Sequence, residues 1–483
     1  MTRRFGTTSV VGVFVIWCVC EATLFGGSKL ALPLRLADNG QYVVGADGTP
    51  FFMNGESAWS LIANATREEV ELYLDDRHQK GINLVLVNLL ERKFSRHAPA
   101  NAYGQLPFDR PGDFSVPNES YFAHADWVVE QARRREIVVM LAPLYLGWQC
   151  RSEGWCEEIK ASTPATMKAF GRYVGARYRR FPNIVWIVGG DTDPLGIRGQ
   201  VSSLGLIRRA AMRMSGMEPV TERNDVAGLV RAFVNGLKEM DAAHLITAHN
   251  APEQAAIDPW PGESWIDLNN LYTVQLAYHG ALRQYNRRPF RPFFLVETDY
   301  ENYNHSTPLS IRRQAYWTVL SGGTVGHIFG NCQIWGFSNG FCKEPWQLQL
   351  NSEGSRTLPL VGRLFSSRAF HKLIPDQQHK VLIGGFQRGG NYAAAARASD
   401  GSSIIVYMPT RRRIVVDLSS LSGARAKAWW FNPRDGEASF IGVYDSGRQV
   451  LFVAPDQNDW VLVVDSARLN LPPPGASEPD RRL

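Results

Sequence analysis

The sequence predicts an α/β protein, a (β/α)8 TIM barrel followed by a small antiparallel β-sandwich. Three observations carry that prediction. Eight apolar runs of strand length lie between Pro50 and Phe337, most followed by a helical pattern, and barrel strands buried on both faces read as continuous apolar runs. The rival, a doubly wound nucleotide-binding sheet, loses its main support because no G-x-G-x-x-G or G-x-x-x-x-G-K-[ST] follows any run. Beyond Pro375 the runs become short, with Gly, Asn, Asp and Pro between them at intervals of about ten residues, the pattern of a β-sandwich.

The elements follow in order. "PFFMNGESAW" from Pro50 is the first strand; Thr66 and Glu69 then form a capping box ahead of "REEVELYLDDRHQKG", which stops at Gly81. "INLVLVNLL" from Ile82 is the second strand, and the amphipathic "YFAHADWVVEQARRR" is its helix. "EIVVMLAPL" is the third, followed by the helix "TPATMKAFGRYVGARYRRF". "NIVWIVGGDTDP" is the fourth, and it stops abruptly on Gly189, Gly190 and Asp191. "HLITAHN" from His244, "WIDLNNLYTVQ" from Trp265, "RPFFLVETDYE" from Arg291 and "TVGHIFGNCQIWGF" from Thr324 complete the eight, with the helix "PLSIRRQAYWTVLSGG" between the last two. A linking helix around "RTLPLVGRLFSSRAFHKLIPD" leads into the sandwich runs, from "KVLIGG" to "DWVLVVD". The predicted boundaries are a targeting segment at 1–30, the barrel at 31–375, the sandwich at 376–468 and a disordered tail at 469–483.

A chain of 483 residues exceeds one ordinary domain, in keeping with a large enzyme-sized unit and a smaller module. The net charge of +6 is spread thinly, and short runs such as Arg133 to Arg135 and Arg411 to Arg413 read as solvated faces. A nucleic-acid partner would need a clustered basic stripe. "MTRR" followed by the apolar Val10 to Cys20 has the charge and length of a signal-peptide core, shorter than a membrane span. No clean cleavage box and no lipobox follows. The expected location is therefore periplasmic or extracellular, either free or held by an uncleaved N-terminal anchor. Cysteine usage agrees with export. Apart from Cys18 and Cys20, four remain, Cys150, Cys156, Cys332 and Cys342; three pairings are open, and closeness favours Cys150 with Cys156 and Cys332 with Cys342. Neither pair has the spacing or the histidines of a zinc site.

In a barrel, chemistry sits where strands deliver side chains at their carboxyl ends. Those ends carry Asn54, Glu56 and Trp59; Asn88 and Glu91; Tyr145 and Trp148; Asp191; His249 and Asn250; Asn269, Asn270 and Tyr272; Glu297; and His327, Asn331 and Trp335. Acids, amides, histidines and indoles around one rim suit a sugar, whose apolar face packs on aromatic rings while its hydroxyls need paired donors and acceptors. The sharpest pair is Asp191 and Glu297, on strands nearly opposite in the ring, because glycosidic cleavage needs one carboxylic acid and one carboxylate. Each candidate also has a structural reading. Asp191 suits a turn cap, Glu56 a salt bridge, His327 a satisfied core histidine and Trp335 loop packing. Asp193 reads as turn chemistry, and Asp299 and Glu301 as supporting or loop residues. Gly189 and Gly190 leave room for a sugar to approach the backbone.

"FFMNGESAWSL", "TREEVELYLDDRHQKGINLVLVNLL", "PNESYFAHADWVVEQARRREIVVMLAPLY", "GRYVGARYRRFPNIVWIVGGD", "VETDYE" and "RRQAYWTVLSGGTVGHIFGNCQIWGF" together resemble the apiosidase-like glycoside hydrolases over most of residues 35–375. The module with "AWWFNPRDGEA" is similar to the small β-sandwich, labelled collagen-binding, that commonly follows that barrel. The resemblance implies a retaining glycosidase with Asp191, of the Gly-Gly-Asp motif, as acid/base and Glu297, of Glu-x-x-Tyr-Glu, as nucleophile. Tyr300 of the same motif joins Glu56, Trp59, Asn88, Glu91, Tyr145, Trp148, His249, Asn250, Tyr272, His327 and Trp335 as expected sugar contacts. Two departures bear on apiose specificity. Gly55-Glu56-Ser57-Ala58-Trp59 stands where many relatives have Gly-Asp-Thr-Ala-Trp, and "NNLYTVQLAYH" replaces a Gln-Ser-Gly-His-like ending. The expected function is hydrolysis of a plant or bacterial polysaccharide without metal or organic cofactor. A non-catalytic carbohydrate-binding or adhesion protein is the alternative, which two retained strand-end acids oppose. A polysaccharide lyase would need cations at the rim, and few stand there.

Overall fold

The computed structural model describes residues 30–194 and 226–476. Residues 1–29 of the predicted targeting segment (1–30) and the last residues, 477–483, lie outside the described residues. Among the described residues no helix is long and apolar enough to cross a membrane.

Eight parallel strands build the barrel: β1 Met53–Ser57, β2 Leu84–Asn88, β3 Val138–Ala142, β4 Ile184–Gly189, β5 Ile246–His249, β6 Asn269–Tyr272, β7 Phe293–Glu297 and β8 Gly326–Phe329. They are ordered β5-β4-β3-β2-β1-β8-β7-β6. Between β5 and β6 the ring is joined by the Asp267 N–H donating to Ile246 O at 2.8 Å and by Asn270 Nδ2 donating to Ala248 O at 2.7 Å. Side chains alternate across the pleat. Met53, Leu84, Leu86, Met140, Val185, Ile187 and Ile328 point inward and pack together, sealed at the amino-terminal end by Leu34 and Val43 of a two-strand hairpin. Val85, Val87, Val139, Leu141, Trp186 and Val188 point outward to the helices.

Those helices are α1 Arg67–Gln79, α2 Glu119–Arg134, α3 Pro164–Tyr178, α4 Ala227–Met240, α5 Ala277–Tyr285, α6 Pro308–Leu320 and the linking α7 Pro359–Ser366. The capping box read at Thr66 and Glu69 is formed. Helices α3 and α4 approach backbone to backbone because Gly171 and Gly236 face each other's chains. A Cβ at either would lie 2.0 Å from a carbonyl of the other helix.

From Leu373 the chain makes the sandwich. Strands β9 Leu373–Pro375, β11 Ala394–Ala398, β12 Ser403–Met408, β17 Trp460–Ser466, β14 Arg425–Phe431 and β15 Ala438–Asp445 form one antiparallel sheet in that spatial order. Strands β10 Leu382–Gly384, β13 Arg413–Asp417 and β16 Gln449–Val453 form the second. The larger sheet packs on α6 and α7 of the barrel, where Tyr316 stacks on Tyr407 at 4.5 Å and Phe431, Val461 and Val463 share an apolar cluster with Ile311 and Val361. Two buried ion pairs cross the boundary, Arg312 to Asp459 at 2.8 Å and Arg368 to Asp465 at 2.7 Å. The tail departs from the expectation of disorder over residues 470–476. Gly475 N–H donates to Ser367 Oγ at 2.8 Å and Pro472 O accepts from Arg368 at 2.9 Å. These bonds satisfy backbone polar groups that a disordered segment would leave to water.

Candidate active site

A cleft of about 580 Å³ opens at the carboxyl ends of the barrel strands. Its acid from β4 arrives through an unusual backbone, with φ of +103° at Gly189, +148° at Gly190 and +43° at Asp191. The two glycines have a different use from the one the sequence suggested. A Cβ at Gly189 would lie 2.4 Å from His249 O and one at Gly190 2.3 Å from Tyr145 Cδ2, so the bare backbone admits the neighbouring strand and ring rather than a sugar. Asp191 holds its left-handed conformation through its N–H, which donates to His249 Nδ1 at 3.3 Å, and its carboxylate, which accepts from Tyr145 Oη at 2.7 Å.

Glu297 ends β7, and a bulge aims it. Leu271 pairs with Leu295 but Tyr272 pairs with Glu297, so Val296 is the extra residue. Strict alternation would send residues 294 and 296 inward and 297 outward; the bulge turns Glu297 back over the barrel mouth, opposite Tyr272. Its Oε2 accepts from His249 Nε2 at 2.7 Å. Because Nδ1 of that ring accepts from Asp191, the imidazole proton belongs on Nε2. His249 thus sits behind the cleft wall as a strut between the two acids. Its own burial opposes the charged form, but the bond to Glu297 and the charges of both carboxylates push its pKa up.

The two acids differ electrostatically. Burial, then the charge of Glu297, pushes the Asp191 carboxyl up to about 6, against the opposing influence of His249 and of hydrogen bonds from Tyr145 and Tyr272. The chemistry available is therefore proton donation from Asp191 beside a second carboxylate. Asp191, His249 and Glu297 also form, among the described residues, a group whose ligand atoms lie within 4.8 Å of one another. Both imidazole nitrogens are already engaged there, one donating and one accepting, so His249 offers a cation no free lone pair.

Aromatic rings complete the walls. Trp59 Nε1 donates to Tyr300 Oη at 2.9 Å, and Tyr300 also bonds Glu297. At the mouth stand Trp148, 39% exposed, and Phe341, 59% exposed. Phe341 lies in the loop closed by Cys332–Cys342 and Trp148 just before the loop closed by Cys150–Cys156; the Cα atoms of the two pairs are 5.6 and 5.2 Å apart, and the pairing is the one their proximity in sequence suggested.

The family described as "Apiosidase-like, catalytic domain" matches residues 37–372. The chain belongs to that family. A second description, "Putative collagen-binding domain of a collagenase", matches residues 374–465. No curated protein matches. Among solved structures, one titled a glycoside hydrolase is 24% identical with a TM-score of 0.74, covering 91% of this chain and 97% of its own. A glycoside hydrolase family 5 protein from Bacteroides vulgatus ATCC 8482 is 23% identical with a TM-score of 0.76, covering 91% and 96%. These two are likenesses of fold. The apiosidase-like membership makes the chain a glycoside hydrolase by class.

Of the residues the sequence singled out, the apiosidase-like cleft brings together Trp59, Asn88, Tyr145, Trp148, Asp191, Tyr272, Glu297, Tyr300 and Trp335 on its wall, with His249 behind them. Four of the expected sugar contacts are elsewhere. Glu56 projects outward to α1, fully buried, bonded to Arg77 at 3.1 Å and Tyr73 at 2.7 Å. Glu91 folds back on its own loop, accepting from the N–H groups of Arg92, Lys93 and Phe94 and from Ser60 Oγ. Asn250 donates to Ala255 O and Ala256 O. His327 stands near the start of β8, not its end, and is fully buried beside Phe52. Both its ring nitrogens lack a hydrogen-bond partner, and burial holds its pKa down at about 3. Glu301 is structural too, accepting from Gly354 N–H at 2.7 Å and Ser352 Oγ at 2.6 Å. The sequence reading missed Phe94, Glu153, Gln275 and Phe341 as wall residues. Phe341 had a signal, an aromatic residue beside a loop cysteine; Phe94 had none.

Proposed function

We propose that this apiosidase-like chain is an exported retaining glycosidase that hydrolyses a plant or bacterial polysaccharide. The observation that carries the reading is the closeness of its two acids, with carboxylate oxygens of Asp191 and Glu297 within 4.8 Å. Retaining enzymes hold their carboxyls about 5–5.5 Å apart, while inverting ones leave room for a water at about 6.5–9.5 Å.

In the first step Glu297 attacks the anomeric carbon as the bond to the leaving oxygen breaks, and Asp191 gives that oxygen its proton. A pKa of about 6 keeps a useful fraction of Asp191 protonated in mildly acidic water. Once Glu297 is esterified its charge is gone, the carboxyl of Asp191 acidifies, and Asp191 takes a proton from the water that releases the sugar. His249 Nε2–H steadies Glu297 as a carboxylate before attack. The apolar stretch Val10 to Cys20 and two disulfides support passage to an oxidising compartment.

A glycan panel with the purified protein identifies the substrate, and proton NMR of the first product reads its anomeric configuration. Retention is expected, with Asp191→Asn and Glu297→Gln each lowering kcat at least about a hundredfold. Net inversion, or full activity in either variant, refutes the mechanism; unsaturated products absorbing in the ultraviolet would make the protein a lyase. Cell fractionation tests export.

A further inference from the structure

We propose that a smaller cavity beside the cleft is an outer sugar subsite, where Asp299 and Arg313 hold a glycan unit beyond the cleaved bond. The proposal rests on the glycosidase reading and extends it to a substrate of several units. The cavity, about 140 Å³, shares Val274, Gln275, Thr298 and Asp299 with the cleft wall, so a chain lying in the cleft continues into it. Ser310, Arg313 and Gln314 of α6 line its far side.

Two charged groups in this cavity are unspent. Burial pushes the Asp299 carboxyl up, and among the described residues no hydrogen bond or ion pair compensates it. Arg313 Nε is buried without a hydrogen-bond partner, its guanidinium lying over the Trp317 ring at 5.2 Å. Arg177 on the same barrel is by contrast paired with Asp126 at 3.0 Å. An acceptor-only carboxylate and a donor-only guanidinium, left apart across one small cavity, match a ligand that both donates and accepts at neighbouring positions. Adjacent sugar hydroxyls do both.

The sandwich borders this end. A Cβ at Gly390 would lie 3.5 Å from Arg313 Nη1, and the loop carrying it is tied to the barrel by Gly389 N–H donating to Tyr278 Oη at 3.1 Å and by Trp317 Nε1 donating to Tyr392 O at 2.9 Å. The second domain therefore abuts Arg313 from behind, while the cavity itself is lined by barrel residues.

The test separates binding from turnover. Full-length Glu297→Gln is applied to a plant and bacterial cell-wall glycan array, and Asp299→Asn or Arg313→Met is added in the same background. Each addition is expected to weaken binding of glycans of three or more units about tenfold, the loss of one charge-assisted hydrogen bond, while in Arg313→Met, a residue of the outer cavity alone, binding of single-unit nitrophenyl glycosides stays within about twofold. Melting curves within about 2 °C of the parent's confirm that each variant is folded. Equal array binding by parent and variants, equal losses on short and long ligands in Arg313→Met, or no glycan binding by the parent overturns the subsite. Binding that follows the prediction in a wild type that cleaves nothing leaves the subsite standing and refutes the hydrolytic mechanism alone.

Discussion

Replacing Tyr145 with Phe removes one oxygen and leaves the ring that fills the space over Gly190. The lost group is the 2.7 Å donor to Asp191 Oδ2. A hydrogen bond to a charged acceptor contributes about 1.5–3 kcal/mol and one to a neutral acceptor about 0.5–1.5 kcal/mol, so the bond favours the ionised carboxyl by about 1.3 kcal/mol. At 1.36 kcal/mol for each pH unit, losing it raises the pKa of Asp191 by about one. The sign follows from the role. Asp191 must be protonated to donate, so activity falls as pH rises through its pKa, near 6 in the wild type. In Tyr145→Phe that alkaline limb of kcat/KM moves to higher pH by about one unit, while the acid limb keeps its place. Initial rates between pH 4 and 9, on the nitrophenyl glycoside of the sugar released by the wild type, measure both limbs. An alkaline limb that stays put or moves down refutes the assignment of Asp191 as the donor held by Tyr145.

The same carboxyl carries a cost in the fold. Its pKa rises from 3.8 in the open chain to about 6 when folded, so stability present below pH 4 is lost as pH climbs through 6. Asp191→Asn escapes that loss and should melt about 2 °C above the wild type at pH 7.5 but not at pH 4; an equal difference at both pH values denies the burial penalty. Asp459→Asn leaves Arg312 only the half-exposed Glu353 as a carboxylate partner, and a loss of about 3 kcal/mol is expected in urea unfolding. A loss under about 1 kcal/mol would mean the two domains are not welded through that pair. His327→Leu replaces a ring with two orphaned nitrogens by an apolar side chain, so stability should hold or gain about 1 kcal/mol with kcat unchanged. Loss of activity with the fold intact would return His327 to the site.

Much of the architecture was legible because the barrel's requirements are written redundantly. Strands β2, β3 and β4 are apolar at nearly every position and helices begin at recognisable caps such as Thr66, Asn118 and Thr307. The sandwich was legible from turn spacing alone. Its fastening to the barrel was not, since Arg312 and Arg368 find Asp459 and Asp465 more than ninety residues away and nothing local marks them as partners.

The site was legible in its acids and illegible in its pleat, for one physical reason. A barrel strand is buried on both faces, so its sequence does not say which residues look into the mouth and which look to the helices. Glu56 and Glu297 both stand near the end of an apolar strand; parity sends Glu56 outward to Arg77, and parity alone would have sent Glu297 outward as well. The extra residue at Val296 separates their fates, delivering Glu297 to His249 and the cleft. The same rule removes His327, whose neighbour Ile328 takes the inward place. Asp191 escapes parity differently, through three successive positive φ angles from Gly189 onward. Both acids therefore reach the mouth through local departures from regular strand geometry, one inserted residue and one left-handed turn. Deleting Val296 would leave Glu297 next after the outward Leu295, in the inward place and still opposite Tyr272, whereas keeping Val296 in a regular ladder would turn the carboxylate into the helix layer, away from His249; the bulge is what lets Val296 and Glu297 both face the mouth.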